Sequence, residues 1–187
     1  MQITQLPGAV LNELGSGIPR STGLHQSDII KDISATMFGE KGHWDYAAEP
    51  GFLWEDVFSR AWADREHKEG VIFRPEEVEK DGISISPDGL FVPNTATDAG
   101  LLLVEYKYTW QSSLKPPQDR WEWMTQLMGY CWVLELSRAR LHVFHCNGDY
   151  RENRRPQYLE WEIGFEEWEM RENWDMLVNH AKGKGWL

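Results

Sequence analysis

The segment 101–110, LLLVEYKYTW, constrains this chain more than any other. Its first four residues are apolar, as in a central strand covered on both faces. Glu105 and Lys107 then follow, separated by Tyr106. Residues two apart in a strand share a face, so the carboxylate and the ammonium project the same way, roughly 7 Å apart along the backbone. Leu102, Val104 and Tyr106 take the other face. Two charges at the end of a buried apolar strand are costly without a partner, a metal or a catalytic role. The chain must therefore build a covered sheet and compensate this pair.

The surrounding segments supply the cover. Residues 27–38, SDIIKDISATMF, carry Ile29, Ile30, Ile33 and Met37 at helical spacing, with Ser27 or Asp28 as the expected N-cap. Residues 51–69 form a stronger helical pattern, with Leu53, Trp54, Val57, Phe58, Ala61 and Trp62 on one apolar arc. Glu55 falls at the edge of that arc, beside Trp62, and can point inward. Strands are expected over 71–79, over 81–92 with a turn at Pro87-Asp88-Gly89, over 139–146 and over 156–165, the last two around Asn147-Gly148. Helices are expected over 118–136 and 166–182. In the second, Trp168, Met170, Trp174, Leu177 and Val178 are the packing residues. The first 23 residues, punctuated by glycines and Pro19, read as the loosest part. Helices interleaved with strands in this order predict an α/β fold, a mixed central sheet flanked by helices.

At 187 residues and 41% hydrophobic, the chain is expected to be one domain over 1–187 with a real core. Residues 1–50 would be an N-terminal extension and helix, and 51–187 the core. No run of 18 apolar residues exists and no basic-then-apolar leader opens the sequence, so neither a membrane span nor a secretory signal is expected. Cys131 and Cys146 are too few for a disulfide framework or a zinc cage, which suits a reducing, cytoplasmic setting. Both read as packing residues. Most of the eleven tryptophans should sit in the core or at interfaces. A net charge of -11 argues against a non-specific nucleic-acid coat. It leaves room for a metal-using nucleic-acid enzyme, because such a site spends carboxylates.

Asp88 sits at a turn just before the Glu105 strand and can bring a second carboxylate beside it. Two adjacent carboxylates repel, and a hard divalent cation removes the conflict. Mg²⁺ prefers one or two carboxylates, leaving positions for water and substrate phosphate. Such an ion lowers the pKa of water. Lys107, a compact charge, suits steadying the attacking hydroxide or the charge that builds on phosphorus. Those parts suit hydrolysis of a phosphodiester. Gln126 and Tyr130, four apart, lie on one face of the next helix.

Together, Gly51-x-x-x-Glu55, Pro87-Asp88, Glu105-Tyr106-Lys107 and Gln126-x-x-x-Tyr130 resemble the PD-(D/E)XK nuclease superfamily. The last element resembles its RecB-like and phage-exonuclease-like (YqaJ, lambda exonuclease) branch. The resemblance covers about residues 50–165. It implies a restriction-endonuclease-like core with Asp88, Glu105 and the Tyr106 carbonyl as metal ligands and Glu55 as an additional acidic ligand. It implies that Lys107 orients or activates water, and that Gln126 and Tyr130 brace the site and contact phosphate. The implied cofactor is Mg²⁺ or Mn²⁺, and the implied partner is DNA. The implied activity is a deoxyribonuclease, a phage-type exonuclease of recombination or repair. Such enzymes often process duplex ends as oligomers, so a homo-oligomer and a single-strand annealing or recombination protein are further expected partners. The alternatives are a structure-selective endonuclease, or a catalytically silent member that binds nucleic acid or protein.

Each motif alone is common: Pro-Asp-Gly is an ordinary turn, and E-x-K is often a solvated pair. The order and spacing on the expected elements are what distinguish them. There is no P-loop, no G-x-S-x-G elbow and no H-E-x-x-H. His142 and His145, three apart on a strand, should face opposite ways, one in the core and one at the surface. Arg151, Arg154 and Arg155 read as a solvated turn or as a contact to DNA backbone.

Overall fold

The computed structural model describes residues 21–39, 57, 70–93 and 100–187. The helical segment expected over 51–69, with Glu55, lies outside the described residues apart from Val57, as do residues 1–20. The elements in order are β1 (Leu24–His25), α1 (Gln26–Phe38), β2 (Gly70–Phe73), β3 (Val78–Lys80), β4 (Ile83–Ile85), β5 (Gly89–Pro93) and β6 (Leu102–Thr109). A short 3-10 turn (Pro117–Asp119) follows, then α2 (Trp121–Leu134), β7 (Arg138–His145), β8 (Gln157–Gly164) and α3 (Glu167–Gly183).

A five-stranded sheet runs in the order β2-β5-β6-β7-β8. β2, β5 and β6 are antiparallel neighbours, and β8 is antiparallel to β7. β6 and β7 are parallel, from Leu103 opposite Ala139 to Thr109 opposite His145. Parallel neighbours need a crossover, and α2 is that crossover. A second, three-stranded sheet runs β1-β4-β3, with β1 parallel to β4 and β3 antiparallel to it. The mixed α/β arrangement of sheet and flanking helices is the expected one.

Among the described residues, the main core lies between the sheets and α1, α2 and α3. It gathers Ile29 of α1, Ile83 of β4, Leu103 of β6, Leu141 of β7, Leu127 of α2 and Trp174 of α3. A smaller cluster, Phe91, Leu102, Val104 and Tyr106, lies on the opposite face of β5 and β6. The alternation read in β6 is thus realised, with buried residues on both faces.

Several expectations change. The strand read over 71–79 is two strands in different sheets, broken around Arg74 and Pro75. Proline offers no N–H to a ladder, which favours a break there. α1 starts at Gln26, with His25 as N-cap and no side-chain cap, so neither Ser27 nor Asp28 caps it. The cause is upstream: β1 pairs with β4 through His25, and the chain turns into the helix at once. The β7–β8 connection is longer than an Asn147-Gly148 turn. Gly148 takes φ +53°, and the Asp149 carboxylate accepts the N–H groups of Arg151 (2.9 Å) and Asn153 (2.7 Å). Trp168 is 56% exposed and is not a packing residue, whereas Met170, Trp174 and Leu177 are buried. Trp110 and Trp186 are exposed as well. α3 is closed at its start by a capping box between Glu166 and Glu169.

Candidate active site

The site assembles at β6. Asp88 precedes β5, whose Gly89 lies opposite Val104 of β6. Its Oδ2 accepts the backbone N–H of Tyr106 at 2.9 Å. That bond seats the Asp88 carboxylate against the peptide linking Glu105 to Tyr106. Asp88 thus sits just before β5, beside the β6 backbone that carries Glu105.

Glu105 is 2% exposed, and Lys107 donates to its Oε1 at 2.6 Å. The charge pair is therefore direct and largely removed from water. Lys107 also donates to Gln126 Oε1 at 2.8 Å, and Gln126 Nε2 donates to the Tyr130 hydroxyl at 2.8 Å. An ammonium can only donate, so Gln126 must turn its oxygen to Lys107 and its NH₂ to Tyr130. A long 3.5 Å contact joins the Tyr130 hydroxyl to the Ser86 carbonyl, two residues before Asp88. The chain of contacts so returns to the strand segment where it began.

Five of the sequence-predicted residues, Asp88, Glu105, Lys107, Gln126 and Tyr130, are in this group, with the Tyr106 backbone between them. Glu55 lies outside the described residues. The Ser86 carbonyl was not anticipated, because a backbone acceptor leaves no trace in residue type. Among the described residues, no group of three or more His, Cys, Asp or Glu side chains is placed to hold a metal ion. Asp88 and Glu105 offer oxygen donors, the ligand chemistry that Mg²⁺ and Mn²⁺ take.

The two histidines of β7 do face opposite ways. His142 lies beside Tyr106, stacked at 5.1 Å between centroids, and shares a 2.7 Å hydrogen bond with the Tyr158 hydroxyl. His145 lies beside Thr109, on the face of Glu105 and Lys107, with Nδ1 2.9 Å from the Gln111 carbonyl. Both are buried, at 1% and 2%, which corrects the expectation that one is at the surface. Both faces of β7 are covered, so alternation alone could not tell them apart. Cys131 is buried and its thiol is pushed up to about 12 by that burial, which fits packing rather than chemistry. Arg151, Arg154 and Arg155 are exposed.

No family model matches the chain, and no curated protein matches it. Among solved structures, a phage related exonuclease from Haemophilus somnus 129PT is similar at 12% identity, covering 83% of this chain and 78% of that one, with a TM-score of 0.49. An alkaline exonuclease from Laribacter hongkongensis, LHK-Exo, is similar at 17% identity, covering 84% and 78%, with a TM-score of 0.48. LHK-Exo in complex with dAMP gives 14% identity, 86% and 87% coverage and a TM-score of 0.49. The α/β fold with its mixed sheet flanked by helices is read from this chain's own strand order and register.

Proposed function

We propose that this protein is a divalent-metal-dependent deoxyribonuclease, a phage-type exonuclease acting in DNA recombination or repair. One observation carries the reading. Lys107 bridges buried Glu105 at 2.6 Å and Gln126 at 2.8 Å, while Asp88 is anchored on the intervening strand. Glu105, Lys107, Gln126 and Tyr130 thus form one hydrogen-bonded chain, and Asp88 bonds the backbone of the strand that carries Glu105 and Lys107.

Asp88, Glu105 and the Tyr106 carbonyl would hold Mg²⁺ or Mn²⁺, with Glu55 as a further acidic ligand. The bound ion supplies positive charge at the phosphate and lowers the pKa of the water that attacks. Lys107 holds its ammonium beside Glu105, where it orients that water and stabilises charge building on the phosphate oxygens. Gln126 keeps Lys107 in place. Tyr130 keeps Gln126 in the orientation that offers its oxygen. The two carboxylates repel phosphate on their own, so substrate affinity depends on the cation.

Incubation with linear, covalently closed and single-stranded DNA, each in Mg²⁺, Mn²⁺ or EDTA, tests the proposal. The expected result is loss of linear DNA in either metal and none in EDTA. Cutting of closed circles would replace the exonuclease with an endonuclease. Intact DNA under every condition would overturn the nuclease reading.

A further inference from the structure

We propose that Gln26 is a positioning residue for this site, acting through the backbone of α2; the proposal rests on the nuclease reading above. Gln26 is the first residue of α1 and is 1% exposed. Its Nε2 donates to the Thr125 carbonyl at 3.1 Å and reaches the Gln126 carbonyl at 3.4 Å. Asn173 of α3 donates to the same Thr125 carbonyl at 3.0 Å. Two helices thus grip α2 at the peptide that leads into Gln126.

Packing alone does not explain a carboxamide at position 26. Among the described residues, its buried Oε1 has no hydrogen-bond partner. A buried acceptor left unsatisfied costs about 1–3 kcal/mol. A methionine of similar length would fill the space without that cost. What the carboxamide adds is the NH₂ on the two carbonyls. Gly129, one helical turn on, leaves the room for it, since a Cβ there would collide with the Gln26 amide.

The geometry links both halves of the site. Gln26 directly follows His25, which pairs with Ser84 on β4, and β4 leads through Ser86 to Asp88. The residue therefore references α2 to the strand that carries Asp88. A roll of α2 by about 20° would move a side-chain tip at the outer helix radius of about 5–6 Å by about 2 Å. That displacement breaks the 2.8 Å Lys107–Gln126 bond. Misplacement of about 1 Å at a reacting centre can already cost about a hundredfold in rate.

Gln26→Met tests the proposal, with Asn173→Ala as the second variant should the first not fold. Steady-state cleavage of linear DNA is measured at a temperature where circular dichroism shows each variant native. Gln26→Met should lower kcat by about tenfold or more with KM within about threefold, and Asn173→Ala should lower kcat by about threefold. In ¹⁵N-correlated spectra, the Gln126 side-chain amide pair, assigned by its loss in Gln126→Ala, should move in both variants. Unchanged kcat with unmoved amide signals would reduce Gln26 to a packing residue and overturn the inference. If the wild-type protein cleaves no DNA, the nuclease reading fails, while the amide signals still decide whether Gln26 sets Gln126.

Discussion

On one face of β6, Leu103, Glu105 and Lys107 meet α2. On the other, Leu102, Val104 and Tyr106 pack with Phe91 and stack toward His142 and Tyr158. The same strand supplies both, by alternation. The second face solves burial with apolar area and rings, and partial burial there, with the Cys146 thiol beside it, pushes the Tyr108 phenol up. The first face buries a carboxylate and must answer it, which it does with Lys107 and Gln126. A buried pair of this kind is weak evidence for stability, because desolvation offsets much of the attraction. The contrast shows where the chain accepts a cost that folding does not require. That place is the candidate site.

The largest effects should come from breaking the polar face alone. Lys107→Met and Glu105→Gln should each lower DNA cleavage by about a thousandfold or more, the scale of losing a group that acts in the transition state. Tyr106→Phe keeps the backbone carbonyl and alters only the opposite face, so it should stay within about twofold. Stability should split the pair. Lys107→Met leaves Glu105 charged and buried and should cost about 3 kcal/mol. Glu105→Gln removes that charge and should cost less. Urea unfolding gives the stabilities. Wild-type turnover in Lys107→Met, or equal losses from Tyr106→Phe, would erase the distinction between the faces.

The same contrast separates what was legible in the sequence from what was not. The period-two split of β6 and the four-residue spacing of Gln126 and Tyr130 are local patterns, and both proved geometrically correct. The elements from β6 onward lie close to where periodicity puts them, because the apolar run of β6, the alternation of β8 and the helical spacing of α3 are each strong local patterns. The Gln26 clamp was invisible, since Gln26 and Thr125 are 99 residues apart and helix carbonyls carry no sequence signature. The fate of His142 and His145 was half legible. Alternation gives the side of the strand, but only tertiary cover decides burial. The two-sheet split around Pro75 was missed because β2 and β3 each follow strand composition.

Gln126→Ala should have the next largest effect. It removes the bond that holds Lys107 but neither carboxylate. Turnover should fall by about tenfold or more while metal affinity, read by calorimetry, stays nearly constant. Equal loss of metal affinity would put Gln126 among the ligand-holding residues instead.

A smaller effect should appear in binding. Under the proposed function, Asp88 and Glu105 would put negative charge where a phosphate docks, and each close pair would cost about 1 kcal/mol or more. Anisotropy with a labelled duplex should therefore show weak affinity in EDTA and clearly tighter affinity in Ca²⁺, with little cleavage in the latter. Asp88→Asn should tighten metal-free binding by about fivefold while removing activity. No effect of Asp88→Asn, with equal affinity in EDTA and Ca²⁺, would mean that DNA does not reach this face.

The smallest expected effect concerns His145, the histidine on the polar face. Burial holds its pKa below the ordinary 6.5, the Arg120 guanidinium adds to the lowering, and the bond to the Gln111 carbonyl opposes both. A carbonyl only accepts, so Nδ1 carries the hydrogen in the neutral ring. Below pH 6.5 the unfolded chain takes up a proton that the folded protein resists. The unfolded state then binds more protons, and stability falls as pH descends through that window. The loss stops at the folded pKa, and above pH 6.5 the group contributes no slope. Each pH unit inside the window is worth up to about 1.4 kcal/mol. His145→Gln keeps a donor for the Gln111 carbonyl and does not titrate. Urea unfolding from pH 7.5 down to 5.5 should therefore show wild type losing stability faster than this variant once pH drops below 6.5. Parallel profiles would mean that His145 protonates as readily in the folded protein as in the unfolded chain, and its burial on the polar face would carry no electrostatic cost.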